Sequence, residues 1–331
     1  MAPTKLTDRA PPTVVPNGAP PLRASRLPAH LRLPILLVLN LGLQSVLWTF
    51  TNNLLGNELG AVSKKPGEND LVTPAARLGY KMLVIWLGWR LKYDFFDIGA
   101  LTAITNAPFA YLLMTYYQIT PLTASALVAN EVLSIAIPTY LLRPVSAVHN
   151  PNAPLRNRYL LNSFQVQLSN NLLAIGVYVV VMFCALKTSQ LNLFLITHFD
   201  LPTLEDAHRE TPFMLIAKVA IAAYATRAFL LDPSIGAQPA SGDATPIEAF
   251  DPATATLPQT VKHNFWFFSR RTRTLIQQTA ILSVFLSANT VQRCLSLRGA
   301  DSLGAAGYAG VWVLANVICA AWWVWVGDAE A

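Results

Sequence analysis

Glu131 is the residue from which chemistry is most readily argued. It stands beside Asn130 in the middle of Pro121–Arg143, PLTASALVANEVLSIAIPTYLLR, a 23-residue run that is almost wholly apolar and around which the chain reads as organised. That length suits one crossing of a ~30 Å hydrocarbon core. A carboxylate at such depth is costly unless it is protonated, paired or hydrated. Lys81 lies nine residues from the outer end of another apolar run, and Glu131 about ten from its own. At 1.5 Å per residue both sit roughly 14 Å deep, so an ion pair between them is geometrically allowed. Lys218, six residues into its run, could join them or extend outward to the headgroups. Glu131, Lys81, Lys218 and Asn130 thus form a candidate intramembrane site for an ion, a proton or a substrate. The competing reading is a structural pair, or a protonated Glu131 bonded to a neighbouring helix. No second acid stands deep in an apolar run to make a proton relay, and this favours the structural reading.

A second constellation belongs to a surface. Lys262–Arg273, KHNFWFFSRRTR, mixes aromatic and cationic side chains. Lys262, Trp266, Arg270, Arg271 and Arg273 are the residues expected at lipid headgroups, anionic ones included. His198, Asp200, Glu205, Asp206 and His208 are of types that bind divalent cations, but their spacing fits no zinc or calcium pattern, so no metal is expected. GxSxG, HExxH, P-loop and paired-aspartate signatures are absent, and with them any sign of an enzyme or a cofactor. Cys184, Cys294 and Cys319 fall in apolar runs and read as small buried apolar residues.

Of the 331 residues 53% are hydrophobic and 13% charged, where a water-soluble domain carries about a quarter charged. The apolar residues come in blocks of roughly 20, the mark of membrane helices. The expected fold is an all-α integral membrane protein, a polytopic bundle of about eight transmembrane helices with both termini cytosolic. Residues 1–30 read as a disordered proline-rich cytosolic tail, too proline-dense for an amphipathic presequence. Residues 31–143 hold helices one to four, 144–163 a cytosolic loop and 164–231 helices five and six. Residues 232–261 read as a disordered cytosolic loop, 262–273 as the interfacial segment, 274–327 as helices seven and eight, and 328–331 as a short tail.

Charge orients this layout. With the N-terminus inside, fifteen Lys and Arg fall on inner segments, five on outer loops and four (Arg77, Lys81, Lys218 and Arg293) within spans. That bias is the positive-inside pattern and accounts for the net charge of +6 without nucleic acid. The second and sixth spans each begin Thr-Pro and carry Lys and Arg nine residues apart (Lys81 and Arg90, Lys218 and Arg227), a hint of two parallel halves. Small residues crowd the fourth span (Thr123 to Ala126, Ala129) and the eighth (Gly304, Ala306, Gly307, Gly310), where backbones can approach closely.

The segment YYQITPLTASALVANEVLSIAIPTYLL, Tyr116–Leu142, resembles the third-to-fourth helix region of drug/metabolite-type transporters, in which a small-residue helix follows a short turn and ends before a basic residue. The resemblance implies a small-solute carrier with Glu131 at its site. That family usually has ten spans, where this chain reads as eight. The expectation from the residues themselves is a structural, scaffolding or biogenesis role in an endomembrane, the endoplasmic reticulum foremost. Its partners would be the lipid bilayer and membrane or cytosolic proteins.

Overall fold

A computed structural model of the chain describes residues 28–55, 58–64, 72–153, 155, 157–237, 255–260 and 269–328. Among these the regular structure is helical, apart from one isolated bridge between Ser63 and Leu297. The long helices are α1 (Ala29–Leu55), α2 (Val72–Arg90), α3 (Phe95–Tyr116), α4 (Pro121–Leu142), α5 (Phe164–Lys187), α6 (Pro212–Thr226), α7 (Arg270–Cys294) and α8 (Ser302–Asp328). Short helices join them at Glu58–Val62, Arg158–Asn162, Gln190–His198 and Glu205–Arg209. Six helices are long and apolar enough to cross a membrane: α1, α3, α4, α5, α6 with its extension to Gly236, and α8. This is the build of a multi-pass helical membrane protein. Large apolar side chains such as Val38, Phe50, Phe213 and Trp325 stand exposed on the outside of the bundle, where a bilayer and not water is the fitting solvent.

The packing centre is α3, not the Pro121–Arg143 stretch expected from sequence. Leu101, Ile104, Tyr111, Leu112, Leu113 and Tyr116 are almost wholly buried between α4, α6 and α7. In the membrane-length window of α3 72% of residues are buried, against 39% in α4. Apolar length marks both helices alike; only the neighbours decide which is enclosed. Asp94 starts α3 with a capping box, accepting the N–H groups of Phe96 and Asp97 at 3.0 Å each while the Asp97 carboxylate takes the Asp94 N–H. Pro108, inside α3, removes one backbone donor. Nearby carbonyls take bonds from other helices: Asn289 donates to Thr105 at 2.9 Å and Tyr308 to Pro108 at 2.7 Å. Beside this, Tyr178, Thr226 and Asn316 join α5, α6 and α8 through buried hydrogen bonds of 2.7 to 2.8 Å.

The connections gather at two ends. At one, Glu58 accepts from Thr120 in the α3–α4 turn, Ser63 bridges to Leu297, and His198 meets Asp301 at 2.8 Å. At the other, Arg143 donates to the carbonyls of Gly88, Trp89 and Tyr93, closing the end of α2 as a cation at a helix C-terminus should. Leu36 of α1, the 146–149 turn and the end of α6 also lie at this second end. So do Arg271 and Gly327.

Three expectations change. The loop assigned to 232–261 begins later, because α6 continues through a π-helical turn, Arg227–Leu231, into the helix Asp232–Gly236. A buried Arg227–Asp232 ion pair of 2.9 Å holds that continuation. Cys184 is exposed and only Cys294 and Cys319 are buried, since Cys184 falls on the outward face of α5. Lys218 and Lys81, equivalent in the suggested repeat, occupy unlike settings: α6 is enclosed by the bundle, whereas the buried residues of α2 are Ile85 and Gly88 alone among those described.

The small residues of α8 separate into two kinds. A Cβ at Gly307 would stand 2.4 Å from the Phe194 ring and one at Gly304 2.3 Å from His198, whereas one at Gly310 meets nothing within 4 Å. Gly307→Val should therefore push the Gln190–His198 helix off α8 at a cost of about 1–3 kcal/mol. Gly310→Ala should be neutral or gain up to about 1 kcal/mol. Thermal unfolding of both variants in one lipid or detergent checks this, and equal effects would refute the packing.

Candidate functional site

Glu131 sits on the inner face of α4 and meets three other helices. Its Oε1 accepts from Gln44 Nε2 of α1 at 2.8 Å and from Arg293 Nη2 of α7 at 2.8 Å. Its Oε2 faces Lys81 Nζ of α2 at 3.3 Å, and Lys81 also donates to Gln44. One carboxylate is thus shared by two cations and an amide, each from a different helix. Compensation of this kind is what an acid in a low-dielectric setting requires.

The cluster is not sealed by packing. It lines a cavity of about 410 Å³ walled by α1, α2, α3, α4 and α7. Asn40 and Gln44 enter from α1, Arg77, Tyr80 and Lys81 from α2, Thr102, Thr105 and Asn106 from α3, and Asn289, Gln292 and Arg293 from α7. The volume is within the usual range of small-molecule sites, ~300–1,000 Å³. Lys81, Glu131 and Arg293 keep 22%, 16% and 21% of their side-chain exposure, so the ions face the space and are not walled off from it. The two long helices too polar to qualify as spans, α2 and α7, are the ones that bring cations to this cavity.

The sequence candidates divide. Lys81 meets Glu131, as depth counting allowed. Asn130 turns from the cavity and donates to Thr51 of α1 at 2.8 Å. Lys218 joins neither; it pairs with buried Glu210 and donates to Thr115 at 3.0 Å. Its helix packs against α3 and α5 and not against α4, so Lys218 lies on the other side of the bundle from Glu131, and Glu210 lay just outside the span. Sequence reasoning missed Gln44 and Arg293. Arg293 was visible as an in-span cation, but it lies only about four residues from the outer end, and its long side chain makes up the difference in depth. Arg270, Arg271 and Arg273 occupy the first turn of α7, where cations oppose the helix dipole and favour an external anion. Lys262 and Trp266 lie outside the described residues.

The outer-loop residues do not converge: His198 pairs with Asp301, His208 bonds Leu204 and Glu205 pairs with Arg209. At the opposite end Asp94, Asp97 and His149 bring ligand-type atoms within 4.8 Å of one another. Asp94 there is already engaged, by the α3 cap, by Ser146 N–H at 3.0 Å and by His149 Nδ1 at 2.8 Å. Burial alone would raise the Asp94 carboxyl, yet the His149 contact and the backbone donors bring it down to about 2. Burial likewise works against a charged His149 ring, but Asp94, with Asp97 and Asp232 behind it, raises its pKa above 6.5.

The chain matches no protein-family model, no curated protein and no solved structure. The likeness of residues 116–142 to drug/metabolite-type transporters therefore rests on those residues alone, and function has to be argued from the cavity.

Two outcomes follow from these pairs. Glu131→Gln leaves Lys81 and Arg293 without their anion and should destabilise by up to about 3–5 kcal/mol, less where cavity water screens them. Adding Arg293→Gln should restore part of the loss in a double-mutant cycle, and strict additivity would show that the pair is not coupled. For the Asp94–His149 pair, the raised histidine gives stability that is complete below pH 6.5 and is lost as pH rises through the folded value. The depressed aspartate gives stability complete above pH 3.8 and lost as pH falls towards 2. The melting temperature should thus fall on the alkaline side, and His149→Gln should flatten that limb. An unchanged limb would assign it to another group.

Proposed function

We propose that this multi-pass membrane protein binds a small polar solute in the cavity around Glu131 and carries it across the membrane. The observation that supports this most is the union of a half-buried ion cluster with a ligand-sized void between five helices, into which many polar side chains project. A pair serving only to hold helices together is best enclosed by close packing, because an adjoining cavity forfeits dispersion contacts. Intramembrane ionisable groups facing such a space commonly mark substrate or ion pathways.

Eight spans with both termini on the cytosolic side fit this reading. The polarity of α2 and α7 is accounted for by the cavity they line, and the connections gather alternately at two ends of the bundle. The end that holds Arg90, Arg143, Arg158 and Arg271 is then the cytosolic one. Reporter fusions at residue 1 and residue 331 should report the same compartment, and opposite compartments would refute the even count.

A structural or scaffolding role is the second reading, favoured by the complete compensation of Glu131, whose two oxygens are both engaged within the protein. Thr102→Phe separates the two. It fills the cavity from α3 and leaves every residue of the ion cluster in place. If the cavity carries solute, cells making this variant at normal abundance should show the metabolite profile of cells lacking the protein. A profile identical to wild type, at equal abundance, would sink the carrier reading.

A further inference from the structure

The geometry points to an anion carrying about two negative charges as the ligand of the cavity, with Arg77 as its first contact and Arg293 as the residue that shares it with Glu131. This rests on the solute-binding reading above and specifies the class of solute. Three basic side chains, Arg77, Lys81 and Arg293, face the space, and one acid, Glu131, faces them. With these groups charged the cavity holds a surplus of two positive charges, one of them on Arg77 at its exposed rim, and an entering anion would offset that surplus.

Where the surplus lies is equally specific. Lys81 and Arg293 both reach Glu131, whereas Arg77 has no hydrogen bond or ion pair among the described residues. Arg293 spends Nη2 on Glu131, whereas its Nη1 has no hydrogen bond among the described residues. A guanidinium presents its donors as a planar fork suited to carboxylate or phosphate oxygens. The unused donors of Arg293 and the free fork of Arg77 line one cavity, so an anion between them would be gripped from two helices. Arg77 lies four residues, about one helical turn, before Lys81 on α2 and thus on the same face. It also lies nearer the start of that helix, which suits a first encounter followed by movement inward towards Lys81 and Arg293. α2 is loosely packed, with Ile85 and Gly88 its buried residues among those described and α1 its main neighbouring helix, so the cavity wall carrying two of the three cations is weakly held by packing.

A cationic solute would meet repulsion from three cations on two helices, and a neutral one would leave the surplus uncompensated. The same oxygen chemistry is offered by a free dianion and by the headgroup of an anionic lipid, and the test has an arm for each.

The full chain in nanodiscs of phosphatidylcholine is titrated at constant ionic strength with succinate, inorganic phosphate, spermidine and glucose, with melting temperature and heat as readouts. Succinate or phosphate should raise the melting temperature saturably, and spermidine and glucose should not. Arg77→Gln, at an exposed position, should keep the unliganded melting temperature and weaken the anion about tenfold or more. If phosphatidate in the nanodisc gives the same Arg77-dependent stabilisation and blocks the soluble anions, the ligand is the lipid phosphate and the anion assignment stands. Saturable binding of spermidine or glucose with the anions silent would overturn the anion assignment and leave the solute cavity intact. Silence of all four probes and of phosphatidate, together with wild-type behaviour of Thr102→Phe, would overturn both. A folded Arg77→Gln that binds succinate as wild type would remove Arg77 from the site.

Discussion

A carboxylate in the interior of a membrane bundle has to be compensated by groups from other helices, and this condition organises half of the molecule. Glu131 recruits Gln44, Lys81 and Arg293, and so fixes α1, α2 and α7 around α4. Each partner is itself costly in an apolar helix. The cost is met only when all are present, so the helices that carry them depend on one another. That dependence explains how α2 and α7 can be so polar in a bundle whose other long helices are apolar enough to span by themselves.

The other half is held differently. α3 is enclosed on nearly every side, and α5, α6 and α8 meet across neutral hydrogen bonds between Tyr178, Thr226 and Asn316. Neutral pairs avoid the desolvation cost of ions and fix register without leaving charge behind. Trp323 adds a bond to Asn170 at 2.9 Å, tying α8 to α5 further along. Gly304 and Gly307 then let the Gln190–His198 helix lie against α8. The bundle therefore combines a side joined at mid-helix by neutral hydrogen bonds, with ion pairs only towards the two ends of α6, and an ionic, cavity-bearing side, and α3 is the wall between them.

Much of this was legible in the residues. Block hydrophobicity marks the long helices because a span must be apolar over its full length, and Thr120-Pro121 and Thr211-Pro212 mark their helix starts because each threonine caps and each proline fits the first turn. Depth counting could match Lys81 with Glu131 because both side chains stand at similar heights. It failed for Arg293, whose reach is comparable to the depth it had to cross, and for Lys218, whose partner Glu210 stood outside the span. The rank of α3 over α4 was not legible, because an apolar face reads alike whether lipid or protein covers it. Asp232–Gly236 was hidden by Pro233, which looks like the start of a loop but is allowed in the first turn of a continuing helix.

The looseness of α2 and the charge of the cavity are linked. A helix that carries Arg77 and Lys81 on one face cannot bury that face against an apolar neighbour; it can only face water, counter-charge or a ligand. Close packing of α2 would have required apolar residues where the cations stand, and would have closed the cavity. The site therefore exists because α2 is poorly packed, and α2 remains in the bundle because Lys81 is tied to Glu131. An ion pair that at first looks like a clamp thus also sets the limit of the clamping: it holds one turn of α2 and leaves the turn bearing Arg77 facing open space.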